Sequence, residues 1–413
     1  MIILGVETSC DETALSLIEI EAEGTATVPA TVKILANNVL SQIAIHKEYG
    51  GVFPMMAKRE HAKNLVPLFK KTLEEANFSD SRFKIQDSGK NPKSDLLNPL
   101  PFTLTPLLDR EPELLKQFLE FIPTIEKPPI DLIAVTIGPG LEPCLWTGLN
   151  FAKALSVAWD IPVVAANHME GHVLVSLQKR NEELSIINYQ LSKPNFPALA
   201  LLISGGHTEM VLMKKLGSYE IVGKTRDDAF GEAFDKVARI LGLPYPGGPE
   251  ISALAELARK SNHESRIMNQ EIKLPRPMIH SGDLDFSFSG LKTSVLYLVK
   301  KLPQPLDERT KMEIACEFED SATEVIVEKV KKAIEMYGAE TLILGGGVVA
   351  NKNIRGAFEK LSAEKNVALK LPAINHATDN ALMIALAGYF NKNSSVNEKT
   401  GLLDLKANGN LHF

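Results

Sequence analysis

The chain has 413 residues, 45% of them hydrophobic, with 45 basic and 51 acidic side chains and a net charge of −6 at pH 7. This length predicts two or three domains, and the acidic balance argues against nucleic-acid binding by bulk charge alone. Cys10, Cys144 and Cys316 form no CxxC pair, which indicates a reducing compartment. No signal peptide and no apolar run of ~20 residues is recognisable, so we expect a cytoplasmic protein without membrane contact.

A hairpin pattern occurs twice along the chain. Residues 2–20 place apolar runs on either side of the turn CDET, and residues 198–213 do the same around GGHT. Two such halves are similar to the layout of the actin-like ATPase (ASKHA) fold, in which two lobes enclose a central cleft and their hairpin turns meet one nucleotide. Two unrelated hairpins are the alternative interpretation.

Strand and helix patterns alternate after the first hairpin, which predicts an α/β fold with mixed sheets flanked by helices. A proline-rich insertion at about residues 79–129 interrupts them, and PELLKQFLEFI within it indicates a short helix. The other predicted elements are a strand over 33–42, a helix over 55–76, a strand over 131–138, a helix ending at 159, a strand over 161–167 and a helix over 168–179.

Polar residues 180–196 mark the predicted crossing between two lobes. The second half continues with a helix near 231–241, a strand over 341–347, a last helix from about 378 and a polar, frayed tail after 392. The predicted domains are an N-terminal lobe (1–190, with the insertion), a C-terminal lobe (191–377), and a last helix that returns toward the N-terminal lobe plus the tail (378–413).

The sequence His168-Met-Glu-Gly-His172 places two imidazoles four residues apart, on one face of a helix, where they can share a metal ion. Glu170 points to the opposite side in such a helix, so this is not the HExxH motif of a peptidase. Asp379, at the start of the last helix, completes a two-His, one-carboxylate set. The alternatives are two surface or capping histidines and an acid that complements the helix dipole.

Two glycine-rich turns are candidates for phosphate binding. Ser204–Thr208 lies between two strands, and Gly345–Gly347 lies between a strand and a helix, so backbone amides can approach a ligand closely. A plain hairpin turn is the alternative for the first, and the second lacks the lysine of a Walker A loop. Asn351 either binds a phosphate or caps a helix.

Acidic residues Asp228, Glu232 and Asp235 share one face of the predicted helix near 231–241. Facing a nucleotide, Asp235 can accept from ribose hydroxyls, and Gly248 lets the backbone lie against a sugar or base. A solvated acidic stripe is the alternative. The serines of DFSFSGLK (285–292) receive no role from the sequence.

Taken together, eight segments resemble the TsaD-type family of tRNA N6-adenosine threonylcarbamoyltransferases, in order and over nearly the whole chain. Each is unspecific alone, but their combination is highly specific. They are ETSCDET (7–13), HMEGH (168–172), SGGHT (204–208), GEAFDK (231–236), YPGG (245–248), DFSFSGLKT (285–293), GGGVVAN (345–351) and HATDNA (376–381).

This resemblance implies transfer of a threonylcarbamoyl group from threonylcarbamoyl-AMP to the 6-amino group of the adenosine 3′ of the anticodon, in tRNAs that read ANN codons. It implies one Fe²⁺ or Zn²⁺ per subunit, held by His168, His172 and Asp379, and an adenylate- or ATP-type ligand. The implied nucleotide contacts are Leu202, Ile203, Ser204, Gly205, Gly206, Asp235, Gly248 and Asn351. Further candidates on the phosphate side are Ser9, Asp11, Glu232, Gly345, Gly346 and Gly347.

In bacterial members, the resemblance also implies an inert paralogue and a P-loop ATPase as partners. The sequence departs from the family pattern at the insertion, at residues 138–144 and at residues 50–57, and it assigns no general base. The alternatives are an actin-like small-molecule kinase or ATPase and a metallopeptidase.

Overall fold

The computed structural model describes residues 1–22, 30–77, 100–179, 188–261, 272–396 and 399–413. The strands are β1 (Ile2–Glu7), β2 (Glu12–Ala22), β3 (Ala30–Ser41), β4 (Leu132–Gly138), β5 (Val163–Asn167), β6 (Gln178–Lys179), β7 (Asn188–Leu191), β8 (Ala198–Ile203), β9 (Thr208–Lys215), β10 (Ser218–Lys224), β11 (Thr341–Gly345) and β12 (Ala368–Lys370). The helices are α1 (Ile43–His46), α2 (Pro54–Glu75), α3 (Leu100–Leu108), α4 (Pro112–Phe121), α5 (Glu142–Trp159), α6 (His168–Val175), α7 (Phe230–Ile240), α8 (Gly247–Ser261), α9 (Ser289–Lys301), α10 (Glu308–Tyr337), α11 (Lys352–Lys365), α12 (Ala381–Phe390) and α13 (Lys399–Asp404).

Internal contacts divide the chain into two compact units. Unit 1 comprises Met1–Ile45, Val52–Lys193 and Asp379–Phe413, and unit 2 comprises His46–Gly51 and Pro194–Thr378. The sequence-based division had its boundaries after residues 190 and 377 and kept 46–51 in the first lobe. The early part of the proline-rich insertion, residues 78–99, lies outside the described residues.

Each unit is built on a mixed sheet. In unit 1 the strand order is β5-β4-β1-β2-β3-β7-β6, with β1, β4 and β5 parallel and β1, β2 and β3 antiparallel. In unit 2 the order is β10-β9-β8-β11-β12, with β8, β11 and β12 parallel and β8, β9 and β10 antiparallel. Five strands of unit 1 therefore repeat the arrangement of unit 2, and the predicted α/β class with two similar halves is confirmed.

Helix bounds follow the predictions in most places. Helix α4 confirms the short helix inside the insertion, and α2 runs through Pro67 without ending there. Two predicted helices are shorter than expected. Helix α6 ends at Val175, and α12 begins only at Ala381, because Asn380 is its N-cap and accepts from the amide of Met383 at 3.1 Å.

The segment after α13 is ordered, so the prediction of a frayed tail is wrong. The amide of Gly140 donates to the carbonyl of Gly409 at 3.1 Å, and the amide of Asn408 donates to the carbonyl of Ile137 at 2.8 Å. The buried ammonium of Lys153 donates to the carbonyl of Leu405 at 2.7 Å. The polar composition of this segment predicted fraying, but the segment is held through its backbone amides and carbonyls, whose hydrogen bonds do not depend on side-chain composition.

One edge of the unit 1 sheet collects the parts of a site. Strands β1, β4 and β5 are parallel, so their carboxyl ends lie at the same edge. Helix α12 packs directly on β1, since a Cβ at Gly5 would lie 2.1 Å from the carbonyl oxygen of Ala381. The glycine thus lets the start of α12 approach the strand, and Asp379 precedes that helix.

Candidate metal centre and glycine-rich turns

Helix α6 holds both predicted histidine ligands on one side. Asn167, the last residue of β5, caps the helix by accepting from the amides of Met169 at 2.8 Å and Glu170 at 3.3 Å. The rings of His168 and His172 follow one turn apart, with centroids separated by 4.8 Å. Both side chains are buried, so their polar atoms need partners within the protein.

Asp379 meets the two histidines from the other end of the sequence. Its Oδ1 atom lies 3.1 Å from Nε2 of His172 and 3.5 Å from Nε2 of His168. One ligand atom from each of the three residues lies within 4.8 Å of the others. The carboxylate is 20% exposed, which leaves a side of the cluster open to a ligand.

The donor set fits a divalent transition-metal ion. Both Nε2 atoms face one carboxylate oxygen, and two imidazoles with one carboxylate form a facial set that iron and zinc accept. Asp379 lies one residue before the N-cap of α12, outside the first turn in which the helix-dipole interpretation placed it. These three residues therefore could hold a metal ion.

Glu7 supports His168 from behind. Its fully buried carboxylate accepts from the hydroxyl of Thr136 and the amide of Ser9, both at 2.5 Å, and lies 3.2 Å from Nδ1 of His168. Burial raises the pKa of Glu7, but the charge and hydrogen bond of His168 outweigh burial, so the pKa lies below its usual value. Burial lowers the pKa of His168, but Asp379 and Glu7 raise it to about 9.

The turn between β1 and β2 lies beside this cluster. The hydroxyl of Ser9 is 3.2 Å from Nδ1 of His168, and the side chain of Asp11 is buried. Burial raises the pKa of the Cys10 thiol well above its usual value, and the negative charges of Asp11 and Asp379 raise it further. Ser9 therefore touches the cluster, and the charge of Asp379 acts on the same turn that carries Asp11.

Glu170 faces away from the histidines. Its Oε2 atom accepts from the side-chain amide of Asn391 at 2.7 Å. A peptidase of the HExxH type needs a glutamate that reaches the metal-bound water. Glu170 is held on the other side of its helix, as its spacing predicts.

In unit 2 the two glycine-rich turns are neighbours. Gly345 ends β11 and pairs with Leu202 of β8. A Cβ at Gly346, whose φ is +92°, would lie 2.3 Å from the carbonyl oxygen of Ile203. The segments 202–206 and 345–347 therefore meet at the carboxyl ends of parallel strands, where α/β proteins build their sites.

The start of α7 joins these turns. A Cβ at Gly231 would lie 2.7 Å from the carbonyl oxygen of Ser204, so glycine permits the close approach. Within the turn, the hydroxyl of Ser204 accepts from the amide of His207 at 3.1 Å. Gly205 and Gly206 are exposed, and a Cβ at either would meet nothing within 4 Å. A ligand can therefore approach the backbone of these two residues.

The remaining predicted nucleotide contacts have partners inside unit 2. Asp235 accepts from the amide of Gly247 at 2.7 Å, at the start of α8, and a Cβ at Gly248 would meet nothing within 4 Å. Asn351 caps α11 through Ile354, and its amide group donates to Ser252 and Glu319. Glu232 accepts from the amide of Ala229 and pairs with Lys236. Their contacts to a nucleotide stay predictions.

The predicted acidic face on α7 is wrong for Asp228, because the helix begins two residues later. Its carboxylate instead pairs with Lys236 at 2.6 Å and Lys292 at 2.8 Å. The serines that received no role from the sequence hold this loop. The hydroxyls of Ser287 and Ser289 each donate to Asp227 at 2.6 Å.

Sequence reasoning did not assign the support that Glu7 gives to His168. The sequence feature that could have indicated this role is Glu7 itself, an acid at the end of a buried strand and the first residue of the ETSCDET segment. An acid at the carboxyl end of a parallel strand is itself a candidate for a site, but nothing local in the sequence pairs it with a histidine far along the chain.

The repeated strand order defines an α/β protein with two similar halves, and the first of them carries the histidine–aspartate cluster. The chain belongs to the TsaD family of tRNA N6-adenosine threonylcarbamoyltransferases, whose family model matches residues 33–84 and 112–386. It is therefore a transferase that acts in tRNA modification. The unmatched residues 85–111 fall within the predicted insertion.

Curated relatives carry the same description over nearly their whole length. The protein named tRNA N6-adenosine threonylcarbamoyltransferase from Thermosipho africanus is 40% identical over 94% of this chain and 94% of its own. Those from Chromobacterium violaceum and Bacillus cereus are each 39% identical over 94% of this chain, and over 92% and 90% of their own.

A solved structure, the Acidaminococcus fermentans (R)-2-hydroxyglutaryl-CoA dehydratase component A, covers 94% of this chain and 98% of its own at 14% identity. Its TM-score is 0.41. None of the described helices is long and apolar enough to cross a membrane.

Proposed function

We propose that the chain transfers the threonylcarbamoyl group of threonylcarbamoyl-AMP to the 6-amino group of the tRNA adenosine 3′ of the anticodon, with one divalent ion held by His168, His172 and Asp379. The observation that carries the proposal is the approach of both Nε2 atoms to Oδ1 of Asp379, at 3.5 and 3.1 Å. An ion bound there supplies positive charge that polarises phosphate and carbamoyl oxygens.

The residues behind the cluster fix its shape. Glu7 accepts a hydrogen bond from the Nδ1–H group of His168, so Nε2 of the same ring is the atom that would donate its lone pair to a metal ion. Thr136 and the amide of Ser9 in turn hold Glu7. Because these groups are buried, the cluster keeps its arrangement without reorganising around each substrate.

The glycine-rich turns of unit 2 support binding of the adenylate. Exposed Gly205 and Gly206 let phosphate oxygens approach the backbone, and Gly345–Gly347 lie beside them. Asp235 and Gly248, at the junction of α7 and α8, suit the ribose and base. The hydrogen bond from Gly247 does not by itself prevent this, since a carboxylate can accept more than one hydrogen bond.

The acceptor amine of adenine is a weak nucleophile, because its lone pair is delocalised into the ring. The threonylcarbamoyl group is already activated by its mixed-anhydride bond to AMP, which breaks as the amine bonds to the carbamoyl carbon and AMP leaves. Orientation of the amine against the carbamoyl carbon therefore has to supply much of the rate, and effective molarities for well-oriented groups are large. We assign no general base.

The metal is Fe²⁺ or Zn²⁺ in this proposal, since imidazole and carboxylate ligands suit both ions. The curated relatives named above are bacterial, which favours an inert paralogue and a P-loop ATPase as protein partners. Few cysteines and a tRNA substrate favour action in the cytoplasm.

A metallopeptidase and a small-molecule kinase remain the other readings of the site. The contact of Glu170 with Asn391 argues against the first, because that glutamate is turned away from the cluster. A kinase has no use for a histidine–aspartate metal cluster. Peptide hydrolysis and sugar phosphorylation assays should therefore both be negative.

The decisive experiment incubates tRNA with threonylcarbamoyl-AMP, the chain and its cognate partners, and measures the modified nucleoside by mass spectrometry. We expect His168→Ala to abolish product and to lose bound metal, measured by elemental analysis. His280→Ala is the matched control, because His280 is exposed and lies outside both candidate sites. Equal product from wild type and His168→Ala would contradict the metal-site proposal.

A further inference from the structure

Helix α2 contributes a buried histidine that the proposed mechanism does not use. The side chain of His61 is completely buried. Its Nε2 atom lies 3.0 Å from the carbonyl oxygen of Cys10, and its Nδ1 atom lies 2.8 Å from the hydroxyl of Thr13. Cys10 lies in the turn between β1 and β2, and Thr13 lies at the start of β2, so one ring contacts both the turn and the strand that follows it.

The partners define the protonation of this ring. A carbonyl oxygen can only accept, so Nε2 of His61 carries the proton and donates to Cys10. The side-chain amide nitrogen of Gln42, which can only donate, lies 3.4 Å from Nδ1, so Nδ1 accepts and the hydroxyl of Thr13 donates to it. These contacts fit a neutral imidazole that carries its proton on Nε2.

The turn that His61 holds is the one that touches the metal cluster. Ser9, next to Cys10, places its hydroxyl 3.2 Å from Nδ1 of His168. The carbonyl of Ser9 accepts from the amide of Leu141 at 2.7 Å, and the carbonyl of Asp11 accepts from the amide of Gln42 at 3.0 Å. These bonds fix the backbone of the turn, and His61 adds the link to α2.

We propose that His61 is a positioning residue for the transfer reaction, whose ring holds Cys10 of the turn and Thr13 of β2 so that Ser9 stays against His168. The proposal rests on the proposed metal site, because Ser9 gains its importance from the contact with His168. The hydrogen-bond partners of His61 include Cys10, Thr13 and Gln42, none of which is a proposed metal ligand, so we infer that His61 acts through the turn.

Two conservative variants separate the two hydrogen bonds of His61. His61→Gln keeps an amide donor at the distance of Nε2 and so can still donate to the carbonyl of Cys10. His61→Asn keeps an oxygen near the place of Nδ1 and can still accept from Thr13, but it has no group that reaches Cys10. Thr13→Val removes the hydroxyl and keeps the shape of the side chain. His280→Asn is the matched control at an exposed histidine.

The variants are tested for kcat and KM in tRNA modification, for bound metal, and for amide hydrogen exchange of a peptide covering residues 9–13. We expect His61→Asn to lower kcat by about tenfold or more, because small misplacements near reacting groups are costly. The KM for tRNA and the metal content should stay at the wild-type level. His61→Gln should retain more of kcat than His61→Asn, and exchange should quicken in 9–13 alone.

The outcomes distinguish this inference from the proposed function. If wild type modifies tRNA and His61→Asn has an unchanged kcat, the inference is overturned. If His61→Asn loses activity only in proportion to the fraction of unfolded protein, it is likewise overturned. If wild type itself binds no metal, the proposed metal site fails. Amide exchange in residues 9–13 then tests whether His61 holds this segment: unchanged exchange in His61→Asn would reject that role, and faster local exchange would support it.

Discussion

The Oε2 atom of Glu7 lies 3.2 Å from Nδ1 of His168, on the opposite side of the ring from the Nε2 atom that faces the cluster. Carboxylates in this position behind a metal-binding histidine fix the ring and raise its basicity. His172 has no equivalent, because its buried Nδ1 atom lacks a hydrogen-bond partner among the described residues. The two histidines are therefore unequal in their support.

Replacing Glu7 by glutamine should weaken metal binding. Glu7→Gln keeps the size of the side chain but removes the charge behind His168, and such changes typically cost about 10- to 100-fold in metal affinity. Competition with a chelator of known affinity measures the change. Glu19→Gln is the control, since Glu19 is partly exposed and forms a long surface ion pair with Lys33, at 3.8 Å. Equal affinity in both variants would rule out a supporting role for Glu7.

Gly5→Ala should separate α12 from β1 and so disturb the metal cluster. The new Cβ would lie 2.1 Å from the backbone oxygen of Ala381, which cannot move without shifting the start of the helix and Asp379. Overpacking of this kind costs about 1–3 kcal/mol. Thermal unfolding and metal content measure the two effects, and both should fall.

Gly356→Ala is the control for Gly5→Ala, because it adds the same methyl group where there is room for it. Gly356 lies in α11, and a Cβ there would meet nothing within 4 Å, so alanine should stabilise the helix by about 0.5–1 kcal/mol. If Gly5→Ala proved as stable as wild type with full metal content, close packing of α12 on β1 would not be what places Asp379.

Gly205→Ala tests whether the exposed turn of unit 2 meets a nucleotide. The added methyl group has open space, so the melting temperature should stay at the wild-type value. A phosphate that approaches the backbone there would be displaced, and we expect the affinity for ATP, measured by calorimetry, to fall about tenfold or more. Gly346→Ala differs, because it clashes with the Ile203 carbonyl and should lower stability itself. Unchanged affinity in Gly205→Ala would remove this turn from the nucleotide site.

Asp228→Asn should destabilise the fold in a pH-dependent way. Burial raises the pKa of Asp228, but Lys236 and Lys292 outweigh burial and hold the pKa below its usual value of 3.8. A group with a lowered folded-state pKa stabilises the fold fully above its unfolded-state pKa, and this contribution disappears as the pH falls through the folded-state pKa. Its side chain is 12% exposed, so we expect a loss of about 1–2 kcal/mol at pH 7.

Urea unfolding of both proteins at pH 7 and near pH 3 measures the difference. The gap between wild type and Asp228→Asn should be present at neutral pH and shrink in acid. Glu256→Gln provides the control, because Glu256 forms an exposed pair with Lys260 within one helix. A gap that stayed constant with pH would mean that the ion pairs do not stabilise this loop.

Much of the fold followed from local patterns. The two hairpins and the alternating strands and helices predicted two similar α/β halves, and the strand orders confirm the repeat. Helix ends were less accurate, because caps such as Asn380 depend on backbone geometry that residue spacing does not fix. The ordered segment after α13 was missed because its hydrogen bonds use main-chain atoms of Gly409 and Asn408.

The sequence by itself determined the spacing of His168 and His172 and the glycine-rich turns, since each depends on residues close together in the chain. The order of eight short segments along the chain determined the family. Only the tertiary structure decided that Asp379 contacts His172, 207 residues away in the chain, and that Glu7 lies behind His168. It also decided that His61 of α2 contacts Cys10 in the turn between β1 and β2. Such pairings arise where parallel strands end at one sheet edge and α12 packs on β1. Local periodicity specifies the elements, whereas burial of their apolar faces against one another selects which distant residues come into contact.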